Sequence, residues 1–500
     1  MCNRNARSKI KILFWCLLIV FSAGSRADAS FSHLPNTPEC ADFEREILRS
    51  SPKSELKTET FAVATGDSLF FEWYGDFFTK DSKQCLWSGS KTIIAILVGH
   101  AILQGKLTLE TMIGDVVPQN ELLNPDFSRF TVRELLNMVS GISWNESRGD
   151  DLRDSSLMDM LYVSSFHDSA SYVQRQPMRK DRRWNYSSGD FVLLTVMLEN
   201  VYKDNPRYPW ELLFDRVGIK NVTFERDSTG TYWGGSHLFL TTRDMIKIGQ
   251  LLLNRGVWNG ERILPDWWVD FMTTVSPGIL EFSTEELTNQ GVYGAGIWTN
   301  RSVNNSIPFV PNMPQSTFFA SGLSGQYIIV SPEQNLIIVR TANDKINSRK
   351  MSYVIDKTLG CFKNGGSDSG INTGLTTGLD TEKGTYVDHP TPKRSYSKQE
   401  MLYAIKSGLL SNMLAKELCS CHYVTGLPFS ECRKRTQLPS IVSKIVKVLS
   451  ITDYSMGKGH PIFKIKIAPT VLSYLSVITK SPKAVANYDP LHPELGCMLE

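Results

Sequence analysis

Ser88 and Lys91 stand three residues apart at the head of a long apolar run, Thr92 to Leu103. If that run is a helix, Ser88 lies at its N-terminus and Lys91 one turn on, on the same face. A serine hydroxyl becomes a nucleophile only with a base beside it. A lysine can be that base when burial and neighbouring charge lower its pKa. The run is apolar on all faces, which predicts a buried helix and a buried Lys91. Acyl transfer on a Ser/Lys pair is the chemistry these residues announce. Two further stretches fit it. Tyr186-Ser187-Ser188-Gly189 precedes a second helix-like run, Phe191 to Leu198. Gly322-Leu323-Ser324-Gly325-Gln326 lies between strand-like Thr317–Phe319 and Tyr327–Val330, and Leu336–Val339 reads as the other arm of a hairpin across Pro332–Asn335.

Alone, each residue has a plainer reading. Ser88 could be an N-cap, Lys91 a solvated helix lysine, and Tyr186 a half-buried core residue. What raises the chemical reading is that the three stretches occur together, in this order. His100, His167 and His237 have no Gly-x-Ser-x-Gly elbow to serve, which disfavours a Ser-His-Asp hydrolase.

With these stretches the chain resembles the β-lactamase-related serine hydrolases: class C β-lactamases, DD-peptidases and esterases, most of all the 6-aminohexanoate-dimer hydrolase branch. The resemblance runs over roughly residues 55 to 360. It also takes in Gly105-Lys106-Leu107, Thr131 to Gly141, Gly234-Gly235-Ser236, Asn259-Gly260 and Tyr293-Gly294-Ala295-Gly296. It implies Ser88 as nucleophile, Lys91 as the group accepting or relaying its proton, and Tyr186 as the partner that protonates the leaving group. The backbone N–H groups of Ser88 and Gln326 would form the oxyanion hole, with Gly325, Ser324 and Ser188 near the substrate. Two departures stand out. Ser188 occupies the place where the commoner family form has Asn, and a Tyr-x-Ser is what the 6-aminohexanoate-dimer hydrolase branch carries. Leu323 stands where a cationic or imidazole group would bind a substrate carboxylate, which argues against β-lactams. The expected activity is hydrolysis of a small-molecule ester or amide through an acyl-enzyme, with no cofactor and no metal. The competing expectation is a catalytically weak relative that binds cell-envelope peptide or glycan.

The elements that must position these residues predict an α/β (α+β) chain. It would have an antiparallel sheet flanked by helices, an all-helical lobe over about 106–230, and a small C-terminal α+β cysteine-rich module. Strands are expected at Phe61–Thr65, Leu69–Tyr74 and through 292–342. Helices are expected at Thr242–Leu253, with a Thr N-cap, and at Tyr353–Leu359. Residues 30–55 read as irregular. A Gly/Ser/Thr-rich stretch, 364–395, reads as a linker. Beyond it Lys398–Leu418 reads as a helix, and Ile445–Ile451 and Ile462–Ile467 as strands. The expected boundaries are 1–29, 30–363, 364–395 and 396–500. No active-site stretch lies past Gln326, so a chain ending near Phe362 is expected to keep the chemistry.

Residues 1–29 read as a cleavable export signal. Arg4, Arg7, Lys9 and Lys11 precede apolar Ile12–Phe21, and Ala27-Asp28-Ala29 fits the cleavage site. The apolar run is too short to span a bilayer, so a secreted or periplasmic protein without a membrane segment is expected. The whole chain carries +3. Without the signal it is close to neutral, and nothing suggests nucleic acid. Residues 396–500 are net basic, which reads as a solvated surface. Seven cysteines lie beyond the signal: Cys40, Cys85, Cys361, Cys419, Cys421, Cys432 and Cys497. In an exported chain they read as disulfides, two of them within the tail, with one thiol left over.

Overall fold

The computed structural model describes residues 34–51, 54–146, 154–163, 168–181, 183–344, 348–363, 409–435, 453–457, 460–466, 483–488 and 491–499. The expected signal, the linker, the start of the Lys398–Leu418 helix and the Ile445–Ile451 strand lie outside them.

The strands of the first part are β1 (Thr58–Thr65), β2 (Ser68–Tyr74), β3 (Lys83–Cys85), β4 (Thr223–Phe224), β5 (Leu238–Thr241), β6 (Val257–Trp258), β7 (Glu261–Arg262), β8 (Val292–Tyr293), β9 (Trp298–Thr299), β10 (Phe318–Gly322), β11 (Gln326–Ser331) and β12 (Leu336–Ala342). Seven of them form one antiparallel sheet in the order β2-β1-β12-β11-β10-β9-β8. Side chains alternate between faces along a strand, and here both faces are covered. Ala62, Ala64, Ile328, Val330, Ile337 and Val339 join one apolar core. Phe61, Val63, Ile329, Leu336 and Ile338 join another. That double burial explains why these strands are almost continuously apolar in sequence.

The first core is built on the Ser90–Leu103 helix, in which only the last two residues escape burial. It also takes in the Thr242–Leu253 helix, whose N-cap is Thr241, accepting from the Asp244 N–H. The second core lies under two terminal helices. Residues 38–48 are not irregular as expected: Thr37 caps a helix at Pro38–Phe43 that continues through a wider turn, Glu44–Leu48. Pro38 at the first helical position supplies a preset φ, and Cys40, Phe43, Ile47 and Leu48 face inward. The Ser348–Lys363 helix packs beside it, joined through Cys40–Cys361 across 321 residues of chain.

Between β3 and β4 the chain is mainly helical. Side chains of Thr131, Ser155, Asp168 and Ser187 cap the starts of Val132–Leu136, Ser156–Tyr162, Ser169–Gln174 and Ser188–Val201, each accepting a backbone N–H.

The C-terminal region is α+β. The Leu409–Cys419 helix, the turn Ser420–Val424 and the Phe429–Arg435 helix precede a four-stranded antiparallel sheet. Its strands are β13 (Asp453–Gly457), β14 (His460–Lys466), β15 (Lys483–Tyr488) and β16 (Cys497–Leu499). Cys419–Cys497 and Cys421–Cys432 staple it, the two tail bridges that were expected. Cys85 is the free thiol among the described residues. This region does not hang apart. Its Leu409–Cys419 helix packs on Ser156–Tyr162, and Lys416 pairs with Glu225, which is fully buried. Glu225 Oε1 also accepts from Ser420 Oγ at 2.7 Å and the Cys497 N–H at 2.9 Å. The idea that residues before about 363 stand alone meets a physical obstacle: without the tail, Glu225 loses the cation and donors that offset its burial.

Candidate active site

β3 ends at Cys85, and the chain then turns sharply. Trp87 adopts φ 48°, in the left-handed region, immediately before Ser88. Ser88 is not the first residue of the long helix: it sits in a single tight turn, Trp87–Gly89, and the helix proper begins at Ser90. The turn packs against β10. There is no room for a side chain at Gly322, because a Cβ would come 2.0 Å from the Leu86 carbonyl. The strand carrying the third motif therefore lies close to the residue carrying the hydroxyl.

Lys91 is 1% exposed. Its Nζ donates to Ser188 Oγ at 2.9 Å and to the Gly235 carbonyl at 3.1 Å, and lies 4.9 Å from the centre of the Tyr186 ring. Gly235 is needed for that approach, since a Cβ there would sit 3.0 Å from the Ser188 side chain and 3.4 Å from Lys91 Nζ. Ser188 is buried behind the cleft, which corrects its expected place beside the substrate. Its hydroxyl accepts from Lys91 and donates to Glu146 Oε1 at 2.6 Å, and its N–H donates to Glu146 Oε2 at 3.1 Å. Glu146 Oε1 is 3.8 Å from Lys91 Nζ. Sequence reasoning missed Glu146. Its position five residues past Gly141 of a family-like stretch was the available signal, but nothing in the local pattern ties a loop carboxylate to a distant lysine.

Tyr186 is held by aromatic neighbours. It stacks on Trp298 with centroids 5.5 Å apart and meets Tyr293 and Trp184 edge-on. Below, Asp190 accepts from Ser187 Oγ and Ser140 Oγ, both at 2.9 Å, fixing the start of the helix that follows Tyr186. Burial pushes the Asp190 carboxyl up to about 7, against those hydrogen bonds.

The third motif forms the tip of the β10–β11 hairpin, with Gly322 paired to Gln326. Ser324 (φ 69°) and Gly325 (φ 88°) make the turn. Gly325 is obligatory there, because a Cβ would lie 2.7 Å from both Arg340 Nη1 and Asp344 Oδ1. Those two residues form a buried ion pair, Nη2 to Oδ2 at 2.5 Å. The pair braces the turn: Arg340 Nη1 reaches the Gly325 carbonyl at 3.4 Å and the Asp344 N–H donates to the Ser324 carbonyl at 3.1 Å.

A cleft of about 280 Å³ brings together Ser88, Tyr186, Glu146, Trp298, Asp344 and the run Ser321–Gly325. Of the expected residues, Ser88, Tyr186, Ser324 and Gly325 line it, while Lys91 and Ser188 lie behind it. The Gln326 side chain points elsewhere, donating from Nε2 to the Ala342 carbonyl at 2.6 Å. A larger hollow of about 630 Å³ around Asp67, Gln250 and Asn259 holds none of these groups. His100 Nδ1 pairs with the Ile263 carbonyl and His237 Nδ1 with Ser236 Oγ; His167 lies outside the described residues. Among the described residues no group of three or more His, Cys, Asp or Glu could hold a metal ion.

The chain is 24% identical over 334 residues to a 6-aminohexanoate-dimer hydrolase of Paenarthrobacter ureafaciens, spanning 64% of this chain and 78% of that one. Among solved structures, EstCE1, a hydrolase with promiscuous acyltransferase activity, shares the fold with TM-score 0.52 at 14% identity, over 64% of this chain and 98% of that one. A 6-aminohexanoate-dimer hydrolase-like protein of Bacillus anthracis aligns with TM-score 0.48 at 20% identity, over 61% and 78%. The beta-lactamase family pattern matches residues 60–356, from the third residue of β1 to the Ser348–Lys363 helix, and so takes in all three motifs. By its sheet, its helical lobe and this span, the chain belongs to the beta-lactamase family of serine hydrolases.

Proposed function

We propose that the protein is an exported serine hydrolase that cleaves an ester or amide through an acyl-enzyme on Ser88. The observation that carries this reading is Lys91. It is buried against the Tyr186 ring and anchored by Ser188 and Gly235, next to a cleft that contains Ser88. Ser88 Oγ adds to the substrate carbonyl while Lys91, with Tyr186, takes its proton. The oxyanion so formed is held by the N–H groups of Ser88 and Gln326, and one such donor typically contributes about 3 kcal/mol. Collapse expels the alcohol or amine, protonated through Tyr186. Water then attacks the acyl carbonyl by the reverse proton path and frees the acid. Export is supported by the three disulfides, which persist in oxidising compartments, and among the described residues no helix is long and apolar enough to cross a membrane. The relative's name puts linear amides of the 6-aminohexanoate-dimer kind among the first substrates to try. Leu323 in the cleft offers no charge for a carboxylate, so weak or absent turnover of a cephalosporin is expected. The second reading, a weak binder of envelope peptide or glycan, is separated by the same experiment. Intact mass after a fluorophosphonate should show one adduct on the wild type and none on Ser88→Ala. An equal adduct on both would overturn the assignment.

A further inference from the structure

The tail reaches the Ser88 site from behind, through one carboxylate. Glu417 lies in the Leu409–Cys419 helix. Its Oε1 accepts from the Tyr162 hydroxyl at 2.5 Å and lies 3.5 Å from His237 Nε2. The same helix holds Tyr162 a second time, since Asn412 Nδ2 donates to the Tyr162 backbone carbonyl at 2.7 Å. His237 is 2% exposed and adopts φ 57°, in the left-handed region. A residue other than glycine stays there only where its surroundings hold it. Around the imidazole, Ser236 Oγ is 2.6 Å from Nδ1, Trp87 meets the ring edge-on with centroids 5.4 Å apart, Trp233 lies at 6.0 Å, and Glu417 faces Nε2. Of these four, only Glu417 comes from the tail. A carboxylate only accepts, so the neutral ring carries its proton on Nε2 and Ser236 donates to Nδ1.

The backbone on either side of His237 holds the groups proposed to react. Gly235, two residues before it, accepts from Lys91 Nζ at 3.1 Å. Leu238, one residue after it, accepts from the Leu86 N–H at 2.8 Å, which fixes the chain entering the Trp87–Gly89 turn. The Leu238 N–H also reaches Ser90 Oγ at 3.4 Å. His237 is thus the pivot between the amine and the turn that bears Ser88. Resting on the serine-hydrolase reading above, we infer that Glu417 is a positioning residue of the Ser88 site: by holding His237 it sets the placement of Lys91 relative to Ser88. The tail then completes the hydrolase site as well as stapling the fold. Misplacing reacting groups by about 1 Å can cost about 10²-fold in rate.

The test uses the full chain, well below its melting temperature, and the rate at which a fluorophosphonate labels Ser88. That rate is resolved into a limiting constant, kinact, and a half-saturating concentration, KI. Glu417→Leu should lower kinact by about tenfold or more and leave KI unchanged, because Glu417 does not line the Ser88 cleft. Glu417→Gln keeps an oxygen that accepts from His237 and Tyr162, and should keep most of the wild-type kinact. Glu417→Asp draws the carboxylate back by one methylene and should show the same fall in smaller measure; it is the variant to read if Glu417→Leu does not fold. His237→Asn, which tolerates left-handed backbone, should lower kinact by itself, and adding Glu417→Leu to it should cost nothing further. An unchanged kinact in folded Glu417→Leu, or in Glu417→Asp where the leucine variant does not fold, would overturn the assignment. So would a fall confined to KI, an equal loss in Glu417→Gln, or a full further loss in the His237→Asn background. Failure of the serine-hydrolase reading looks different: the wild type itself forms no Ser88 adduct.

Discussion

Two buried lysines, Lys91 and Lys416, are enclosed in different ways, and the proposal gives a catalytic role to the first alone. Both are almost fully enclosed and both have a carboxylate near. At Lys416 the carboxylate is in direct contact: Glu225 takes the ammonium, and its other oxygen is occupied by Ser420 and the Cys497 N–H. That is a closed ion pair, and it welds the tail to the hydrolase region. At Lys91 the carboxylate stands back. Glu146 is 3.8 Å from Nζ, and the Ser188 hydroxyl lies between as acceptor from one and donor to the other. Burial is common to both sites; the difference is where the hydroxyl stands, between amine and carboxylate at Lys91 and on the far oxygen of the carboxylate at Lys416.

The comparison breaks if the two lysines fail in the same way. Lys91→Ala should lower kcat by about 10²–10⁴, the usual worth of a general base, with the melting transition retained. Lys416→Met should do the reverse, costing about 3–5 kcal/mol because Glu225 stays buried without its cation, while the folded fraction keeps its turnover. Urea unfolding and ester kinetics on both variants decide it. If Lys416→Met folds normally, the weld is not what holds the tail.

A smaller effect concerns the carboxyl under Tyr186. The Asp190 carboxyl titrates near 7 in the folded protein, above its usual value near 3.9. The folded state then binds the proton more tightly than the unfolded one. The associated stability is present below about pH 4 and is lost as pH rises toward 7. Asp190→Asn should flatten the fall in stability between pH 4 and 7 relative to wild type, read from chemical unfolding across that range. An unchanged slope would mean that Asp190 is ionised throughout.

The finest test concerns Glu146. An opposite charge favours the ammonium form of a lysine. Glu146→Gln removes the carboxylate and should move the acid limb of the kcat/KM profile toward lower pH. If the limb stays put, the carboxylate does not reach Lys91 through Ser188.

Much of the frame was legible in the sequence. Helix periodicity and caps marked Thr242–Leu253, and the hairpin through Pro332 was marked by its turn residues. The all-apolar run after Lys91 announced the buried lysine, because such a run has no solvent face to offer. What escaped was non-local. The Pro38–Phe43 helix is short, and its inward face means something only against the sheet and the Ser348–Lys363 helix. Ser188 carries the same Tyr-x-Ser spacing whether it faces substrate or stands behind Lys91, and only the position of Glu146 decides between them. Glu225 reads as an ordinary charged residue until Lys416, 191 positions later, is brought onto it.

The Cys40–Cys361 bond has a consequence for what a protease can do. It ties the chain between those residues into a covalent ring that contains Ser88, Lys91, Glu146 and Tyr186, with the tail outside it. One cut in a loop of the ring releases no fragment. It yields two polypeptides, with new ends at the cut, that stay joined through the one disulfide. Nicked protein should therefore run as one species on a non-reducing gel, and split in two only when thiol is added.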